Sequence, residues 1–323
     1  MAISRRQFLA TTTLAAAQAK KRPNFVFVLA DDLGWADLPV NGGDFHETPE
    51  MDAFARTAVR FTQAYAAAPI CSPTRASILT GKYPARLGIT IWHEGALRQV
   101  TDKPLFPAKS EDHLPHAEVT IAEKLHDAGY RTLHVGKWHL GTTAHGPESQ
   151  GFDSNTGGTH WGAPQTYFYP FKGDQGFGGE YRFVPGLEPG KRGDYLTDKL
   201  TDAAMRAIDS CWEDPFFLNL WYHSPHTPVE SKPAHAEYFA SKRTPGWNHQ
   251  NSKYAGMVRS LSENFGRLLR RLEERGLAEN TVVVFFSDNG GYTEKYKGEA
   301  VTSNAPLRSG KGSLYEGGIR VPL

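Results

Sequence analysis

The segment that opens at Cys71 and runs Cys-Ser-Pro-Thr-Arg-Ala-Ser-Ile-Leu-Thr-Gly has residue types suited to binding an anion. Ser72 is predicted to cap a helix whose first position is Pro73 and whose end is Gly81, since serine is a frequent N-cap and proline is tolerated at the first helical position. Cys71 would then lie at a helix N-terminus, where free N–H groups attract anions, with Arg75 adding positive charge. Taken alone, the pattern also suits a buried cysteine before a helix.

Two pairs of oxygen-bearing side chains each follow a short apolar run. Asp31 and Asp32 follow one run, and Asp288 and Asn289 follow another. Carboxylate and amide oxygens suit calcium or magnesium and are poorly suited to zinc. So much negative charge at neighbouring strand ends would be costly without a cation, although each pair alone is also typical of a turn or a helix cap.

Cations and imidazoles occupy three further loops. Lys137 and His139 follow an apolar run, His226 lies in Ser-Pro-His-Thr-Pro after another, and Lys311 is flanked by glycines. Glycines let a backbone approach closely, and the lysine ammonium offers a compact positive charge. Each loop alone could equally be a solvated surface loop. His223, close to His226 in the sequence, is interpreted as a structural residue or one that lies behind the site residues.

These residues together resemble the formylglycine-dependent sulfatases of the alkaline phosphatase superfamily. Their signature, Cys-x-Pro-x-Arg followed by a short apolar helix ending in Thr-Gly, is matched by Cys71, Pro73, Arg75, Thr80 and Gly81. The motif is specific, because it also directs a formylglycine-generating enzyme to oxidise the cysteine to an aldehyde. The resemblance covers nearly all of the chain after its leader and lacks only the family's smaller C-terminal part.

The resemblance implies a site assembled from five loops. In the family a calcium ion, preferred over magnesium, is bound by the residues matching Asp31, Asp32, Asp288 and Asn289, together with the group at position 71. The catalytic residues implied are formylglycine from Cys71, then Arg75, Lys137, His139, His226 and Lys311. His139 would lie near the formylglycine hydroxyls, and Lys137 would bridge them to the sulfate.

The implied reaction is hydrolysis of a sulfate ester. Hydrated formylglycine has two hydroxyls on one carbon. One attacks sulfur in line and expels the alcohol, which leaves a covalent sulfo-enzyme. Loss of a proton from the other hydroxyl, to His139, then expels sulfate and restores the aldehyde. One alternative is a phosphomonoesterase or phosphodiesterase of the same superfamily, whose members commonly use Thr or Ser with two zinc ions. Another is an inactive carbohydrate-binding relative.

The expected substrate is a small sulfated sugar, an aryl sulfate or a sulfated polysaccharide. Aromatic and imidazole rings in the loops could stack on a sugar or aryl ring, or could serve only in packing. These residues are Trp92, His93, His160, Trp161 and Tyr167.

Apolar runs alternate with segments of helical spacing, which predicts an α/β fold with a mostly parallel central sheet sandwiched by helices. Ligands bind such sheets beyond the carboxyl ends of the strands, where the candidate residues lie. Gly141–Arg192 is predicted to be a long irregular excursion, and Gly318–Leu323 the opening of a strand at which the sequence is truncated. The predicted strands are Asn24–Ala30, Thr132–Val135, Phe216–Trp221 and Thr281–Ser287, and the predicted helices Pro49–Val59, Thr120–Ala128, Tyr195–Ile208 and Tyr254–Arg275.

The first 19 residues read as a twin-arginine signal peptide, with Arg5 and Arg6 before a short apolar stretch and a small-residue cleavage site. Residues 20–323 would form the catalytic domain, exported by the twin-arginine translocase to a periplasmic or secreted location in a bacterium. The formal net charge of +1 gives no reason to expect nucleic acid, and no apolar run predicts a membrane span. Cys71 and Cys211 are the two cysteines, so a disulfide framework is not expected, although one bond between them is possible.

Overall fold

The computed structural model describes residues 22–98 and 104–323, so the predicted signal peptide lies outside the described residues. Five parallel strands form the central sheet, in the order β4-β3-β7-β1-β8. In chain order the strands are β1 (Asn24–Ala30), β2 (Ala64–Tyr65), β3 (Arg131–Gly136), β4 (Ser154–Thr156), β5 (Lys172–Gly173), β6 (Arg182–Phe183), β7 (Phe216–Trp221), β8 (Thr281–Ser287), β9 (Lys295–Tyr296), β10 (Glu299–Ala300) and β11 (Arg320–Val321).

Helices cover both faces of this sheet. In chain order they are α1 (Pro49–Thr57), α2 (Cys71–Thr80), α3 (Pro84–Leu87), α4 (His93–Ala96), α5 (Ile121–Asp127), α6 (Leu196–Cys211), α7 (Pro233–Ser241), α8 (Ser252–Glu274) and α9 (Glu316–Ile319). Short 3₁₀ turns lie at Trp35–Asp37, Pro39–Asn41, Thr143–His145, Pro147–Gln150, Phe177–Gly179 and Ala278–Asn280.

The sheet is apolar on both sides because its strands are buried between two helical layers. Along β1, Val26 and Val28 belong to the core beneath α6 and α8, whereas Leu29 belongs to the core beneath α2 and α5. This alternation follows from the two-residue period of a strand. The predicted α/β fold, a mostly parallel sheet sandwiched by helices, is confirmed.

Strand bounds were predicted more closely than helix bounds. Three of the four predicted sheet strands have the predicted limits, and β3 extends one residue beyond Thr132–Val135 at each end. The longest helix, α8, begins before the predicted Tyr254, because the Asn251 side chain accepts a hydrogen bond from the Tyr254 amide and caps it. Likewise α6 continues past Ile208 to Cys211.

Both cysteines are free thiols, so they form no disulfide with each other. Cys211 packs in the core beneath α6, as expected of a small buried hydrophobe, whereas Cys71 begins α2, whose Ala76 and Leu79 pack on the opposite face of the sheet. The two thiols therefore lie in different layers.

The remaining regions are irregular or short. Gly141–Arg192 contains only 3₁₀ turns and strands of two or three residues, as predicted. The expected strand near the C-terminus is β11, which pairs antiparallel with β2, Val321 opposite Ala64. Within the described ranges, no helix combines the length and apolar character needed to cross a membrane.

Candidate active site

Two neighbouring strand ends bring four oxygen-bearing side chains together. Asp31 and Asp32 follow β1, and Asp288 and Asn289 follow β8. The Asp32 amide donates to Asp288 Oδ1 at 3.1 Å, and Asn289 Nδ2 donates to Asp32 Oδ1 at 2.8 Å. Asp32 has φ 65°, in the left-handed region that Asp tolerates better than most residues, and the chain turns there. The expected grouping of these residues therefore occurs.

Each of the three carboxylates is paired with a cation. Arg75 Nη2 lies 2.7 Å from Asp288 Oδ2, Lys137 Nζ 2.7 Å from Asp31 Oδ2, and Lys311 Nζ 2.8 Å from Asp32 Oδ1. Arg75 Nε adds a second bond to Asp288 at 3.0 Å. Burying unpaired charges is very costly, so these pairs allow the acids to be buried.

Cys71 is buried at the start of α2, beside the acids. Its Sγ and one carboxylate oxygen each from Asp31 and Asp288 lie within 4.8 Å of one another. The predicted cap is wrong: α2 begins at Cys71 with Ile70 as its N-cap, not at Pro73 with Ser72 as its cap. Because Ser72 is already helical, its hydroxyl binds neighbouring loops instead.

A second group of possible metal ligands shares Asp31 with the first: Asp31, Asp32 and His226 have ligand atoms within 4.8 Å of one another. Buried Asp31 Oδ1 and Asn289 Oδ1 have no hydrogen-bond partner within the described ranges. Asn289 uses its Nδ2 for Asp32 and for the Gly290 carbonyl, so its oxygen is left for another ligand. Unused buried oxygens among carboxylates fit a hard divalent cation such as calcium.

A protein-family profile described as Sulfatase matches residues 23–323. The chain belongs to the sulfatase family.

Two curated relatives illustrate the match. The chain is 33% identical over 332 residues to N-acetylgalactosamine-6-sulfatase of Mus musculus, covering 97% of this chain and 59% of the relative. It is 30% identical over 370 residues to a protein of Formosa agariphila named sulfatase, covering 98% of this chain and 66% of the relative. The chain thus spans roughly three fifths of the length of such relatives.

Solved structures agree with this membership. The crystal structure of Ps i-CgsB superposes with a TM-score of 0.74 at 33% identity, covering 94% of this chain and 65% of that one. Ps i-CgsB has also been solved in complex with k-i-k-neocarrahexaose. The central sheet is therefore that of the sulfatase fold.

His226 reaches the strand-end site from the loop after β7. Its Nε2 lies 3.5 Å from Asp32 Oδ2, and its Nδ1 lies 2.7 Å from the Thr227 carbonyl. His223 is buried, and its Nδ1 has no hydrogen-bond partner within the described ranges. The predicted supporting position of His223 agrees with this burial.

His139 is held by two neighbouring loops. It has φ 62°, its amide donates to the Thr159 carbonyl at 3.0 Å, and its carbonyl accepts a hydrogen bond from Ser72 Oγ at 2.9 Å. Ser72 Oγ in turn accepts from the His93 amide at 3.1 Å. The hydroxyl next to Cys71 thus ties α2 to the His139 loop and to α4.

Burial and charge act on the titrating groups of the site in opposite directions. Burial raises the pKa of Asp31 well above its usual value, with Lys137 opposing it. Against burial, Lys311 and His226 hold the pKa of Asp32 well below the usual range. Burial, reinforced by Lys311, lowers the pKa of His226 to about 3. His226 is therefore neutral near pH 7.

Two charged residues of the site were missed by sequence reasoning. Glu94, on α4, has Oε2 2.6 Å from His139 Nε2, and Arg182, in β6, has Nη2 3.6 Å from Glu94 Oε1. No motif or strand end marks either residue. Glu94 directly follows Trp92 and His93, two of the predicted candidates for stacking on a substrate. The carboxylate of Glu94 itself was not predicted as part of the site.

The five candidate rings fall into two groups. Tyr167 and His93 are buried, and Tyr167 Oη donates to the His226 carbonyl at 2.9 Å, so the Tyr167 ring serves packing and not stacking on a substrate. Trp92, His160 and Trp161 are only partly buried. These three remain candidates for contact with a substrate ring.

Proposed function

We propose that this chain hydrolyses sulfate esters of carbohydrates, using formylglycine formed from Cys71 and a calcium ion bound by the strand-end oxygens after β1 and β8. The main support is the position of Cys71, whose Sγ lies within 4.8 Å of ligand oxygens of Asp31 and Asp288 in a chain of the sulfatase family. The proposed domain is residues 20–323, following a signal peptide.

The proposed metal ligands are the four strand-end residues and the group at position 71. Asp31 Oδ1 and Asn289 Oδ1, which have no hydrogen-bond partner in the described part of the chain, support this set, as does the orientation of the Asn289 amide. The ion supplies electrostatic stabilisation of the sulfate oxygens, and hydrated formylglycine supplies a hydroxyl nucleophile together with a second hydroxyl for product release.

The cations of this chain would bind and orient the sulfate. Arg75, Lys137 and Lys311 balance the three acids, so a divalent cation would leave the site with net positive charge. Such a site attracts an anionic ester and opposes charge build-up as the bond to the leaving oxygen breaks.

Two imidazoles would move protons. His139, whose Nδ1 has no partner among residues 22–98 and 104–323, would take a proton from a hydroxyl at position 71. His226, beside Asp32, would contact the sulfate or the leaving oxygen, and the negative charge of the sulfate would raise its pKa again, so that it would deliver a proton there together with Lys311 or Asp288.

A sulfated carbohydrate is the proposed substrate class, with aryl sulfates as simple analogues. This proposal is supported by the names of similar proteins, since one relative is named N-acetylgalactosamine-6-sulfatase and Ps i-CgsB has been solved in complex with k-i-k-neocarrahexaose. Partly buried Trp92, His160 and Trp161 offer rings for stacking on a sugar.

The deciding experiment combines mass spectrometry with a substrate panel. After co-expression with a formylglycine-generating enzyme, the peptide containing Cys71 should lose its sulfur and gain an aldehyde. The protein should then hydrolyse a sulfated sugar or an aryl sulfate, and not the matching phosphate esters. Hydrolysis of phosphate esters alone would favour the phosphatase alternative, and no hydrolysis of either would favour the inactive relative.

Cys71→Ala should abolish turnover without changing the circular dichroism spectrum, and Cys71→Ser should stop after at most one turnover. Cys211→Ala is the matched control, since Cys211 packs in the other layer of the core, and should retain activity. Full activity in Cys71→Ala would contradict the assignment.

We also propose export to the periplasm or beyond by the twin-arginine translocase. The proposal rests on Arg5 and Arg6 and on the cleavage pattern that ends at Ala19. N-terminal sequencing of exported protein should begin at Lys20, and replacing both arginines with lysine should block export. Unchanged export of that variant would contradict the proposal.

A further inference from the structure

Glu94 makes two directed contacts beside the site. Its Oε2 lies 2.6 Å from His139 Nε2, and its Oε1 accepts a hydrogen bond from the Gly162 amide at 3.0 Å. The Glu94 side chain is only 13% exposed. A carboxylate so placed determines which nitrogen of the imidazole carries the proton.

We propose that Glu94 is a positioning residue that holds His139 in its Nε2-protonated tautomer, which leaves Nδ1 to accept a proton from the group at position 71. The inference rests on the proposed function for the role of that proton, but the tautomer itself is a property of the unmodified protein.

The tautomer follows from the hydrogen-bonding capacity of the partners. An ionised carboxylate only accepts hydrogen bonds, so His139 Nε2 must donate to Glu94. A neutral imidazole has one N–H, and its lone pair therefore lies on Nδ1. This Nδ1 is buried and has no hydrogen-bond partner within the part of the chain that is described.

Glu94 is itself fixed by Arg182. Arg182 Nη2 lies 3.6 Å from Glu94 Oε1 and 2.8 Å from Glu180 Oε2. Its guanidinium carbon lies 3.7 Å from the ring centre of Phe177 and 5.0 Å from that of Trp161. The ring-flanked guanidinium holds Oε1 in place. Against burial, His139 and the Gly162 amide hold the pKa of the Glu94 carboxyl well below its usual range.

Packing also fixes the His139 ring. A Cβ added to Gly162 would lie 2.4 Å from His139 Cε1 and 2.5 Å from Nε2, so the glycine backbone lies directly against the imidazole. The same Gly162 donates to Glu94, so ring and carboxylate share one support. Burial lowers the pKa of His139 despite the opposing effect of Glu94, which favours the neutral, proton-accepting form.

Glu94→Gln tests the tautomer because the amide has only one acceptor oxygen. The Gly162 N–H is fixed backbone and, with Arg182, requires that oxygen on its side. The Gln amide NH₂ would then face His139 Nε2, which must accept, so the proton moves to Nδ1. Substitution thus reverses the tautomer while preserving shape and volume.

The measurement is ¹⁵N NMR of histidine-labelled protein in its unmodified Cys71 form, with His139→Gln to assign the signals. Wild type should have His139 protonated at Nε2, and Glu94→Gln should have it protonated at Nδ1. Glu118→Gln is the matched control, since Glu118 pairs with Lys82 outside the site, and should leave the His139 signals unchanged.

In the formylglycine form, Glu94→Gln should lower kcat by roughly 100-fold or more with little change in KM, and Glu94→Asp should recover part of the loss. An Nδ1-protonated His139 in wild type, or unchanged kcat in Glu94→Gln, would overturn the inference. If Glu94→Gln does not fold, the wild-type tautomer alone decides. The expected tautomer in a protein that hydrolyses no sulfate ester would instead overturn the proposed function.

Discussion

At the residue scale, Arg75 connects the helix that begins at Cys71 to the acids at the strand ends. It lies on α2, the helix that begins with Cys71, and it binds Asp288 through both Nε and Nη2. Its Nη1 also donates to the Lys137 carbonyl at 3.3 Å. One side chain therefore links α2, the end of β8 and the loop after β3, and its loss should affect stability as well as catalysis.

Arg75→Met should lower the free energy of unfolding by about 3 kcal/mol or more, because it leaves Asp288 buried without its cation. Added calcium should reduce this loss by compensating the same carboxylate. Urea unfolding with calcium and with a chelator measures both effects. Arg267→Met is the control, because the ion pair of Arg267 with Asp202 is about one-third exposed. This substitution should lower the free energy of unfolding by less than about 1 kcal/mol. Equal costs for the two variants would contradict the prediction.

Calcium should stabilise the folded protein, because the proposed ligand oxygens come together only when the strand ends are assembled. At a free concentration of about 100 times Kd the gain is about 2.7 kcal/mol. A chelator should therefore lower Tm, and excess calcium should restore it. Asp288→Asn should lose most of this response, whereas Asp198→Asn, in a partly exposed pair with Lys232, should keep it. A calcium response in Asp288→Asn equal to wild type would rule out the proposed ligand set.

At the element scale, a buried histidine joins three segments outside the strand-end site. His249 Nδ1 lies 2.8 Å from Asp44 Oδ1, and His249 Nε2 lies 2.8 Å from the Ser303 carbonyl and 3.5 Å from Asp37 Oδ1. Both ring nitrogens thus face acceptors. This arrangement favours the doubly protonated imidazolium.

The contribution of His249 to stability should depend on pH. Against burial, hydrogen bonds with Asp37 and Asp44 raise its pKa from 6.5 to about 9. The folded pKa is the higher one, so the stabilisation is complete below pH 6.5 and is lost as pH rises through 9. A pKa shift of this size corresponds to a contribution of about 3 kcal/mol to the free energy of unfolding.

Urea unfolding of wild type and His249→Gln from pH 6 to pH 10 measures this contribution, because the other groups cancel in the difference. Nearby His46 and Tyr254 also contact Asp37, but both are retained in the variant. The difference in unfolding free energy should shrink as pH rises. A difference that stays constant with pH would contradict the raised pKa.

The strands and the residues that follow them could be predicted from the sequence, because both depend on short apolar runs. The apolar runs of β1, β7 and β8 ended where expected, and the polar residues after them met because parallel strands end at one edge of the sheet. The helix start at Cys71 was missed because Ile70 caps through backbone conformation, with no side-chain signal.

Contacts between distant segments could not be predicted in this way. Glu94 meets His139, and His249 meets Asp37 and Asp44, only because irregular loops fold back over the sheet. No periodicity or motif marks these pairings.

At the scale of the whole molecule, β8 is an edge strand of the central sheet within residues 22–98 and 104–323. An apolar groove runs beside it, lined by residues that include Phe54, Phe61 and Val283. Val282 is 46% exposed and Val59 79% exposed, so this face presents both unpaired backbone and apolar side chains. Such edges are sites of association between chains.

This face predicts that the 323-residue chain self-associates as its concentration rises. Val282→Lys should weaken association, because a charge on an edge strand opposes strand pairing, and should change the unfolding free energy by less than about 0.5 kcal/mol. Val119→Lys is the control, since Val119 is 50% exposed and does not line the groove. Sedimentation velocity over a concentration series distinguishes the three proteins. Only Val282→Lys should stay monomeric at concentrations where wild type associates. If wild type is monomeric at every concentration, or if Val282→Lys associates as strongly as wild type, the edge of β8 does not drive assembly.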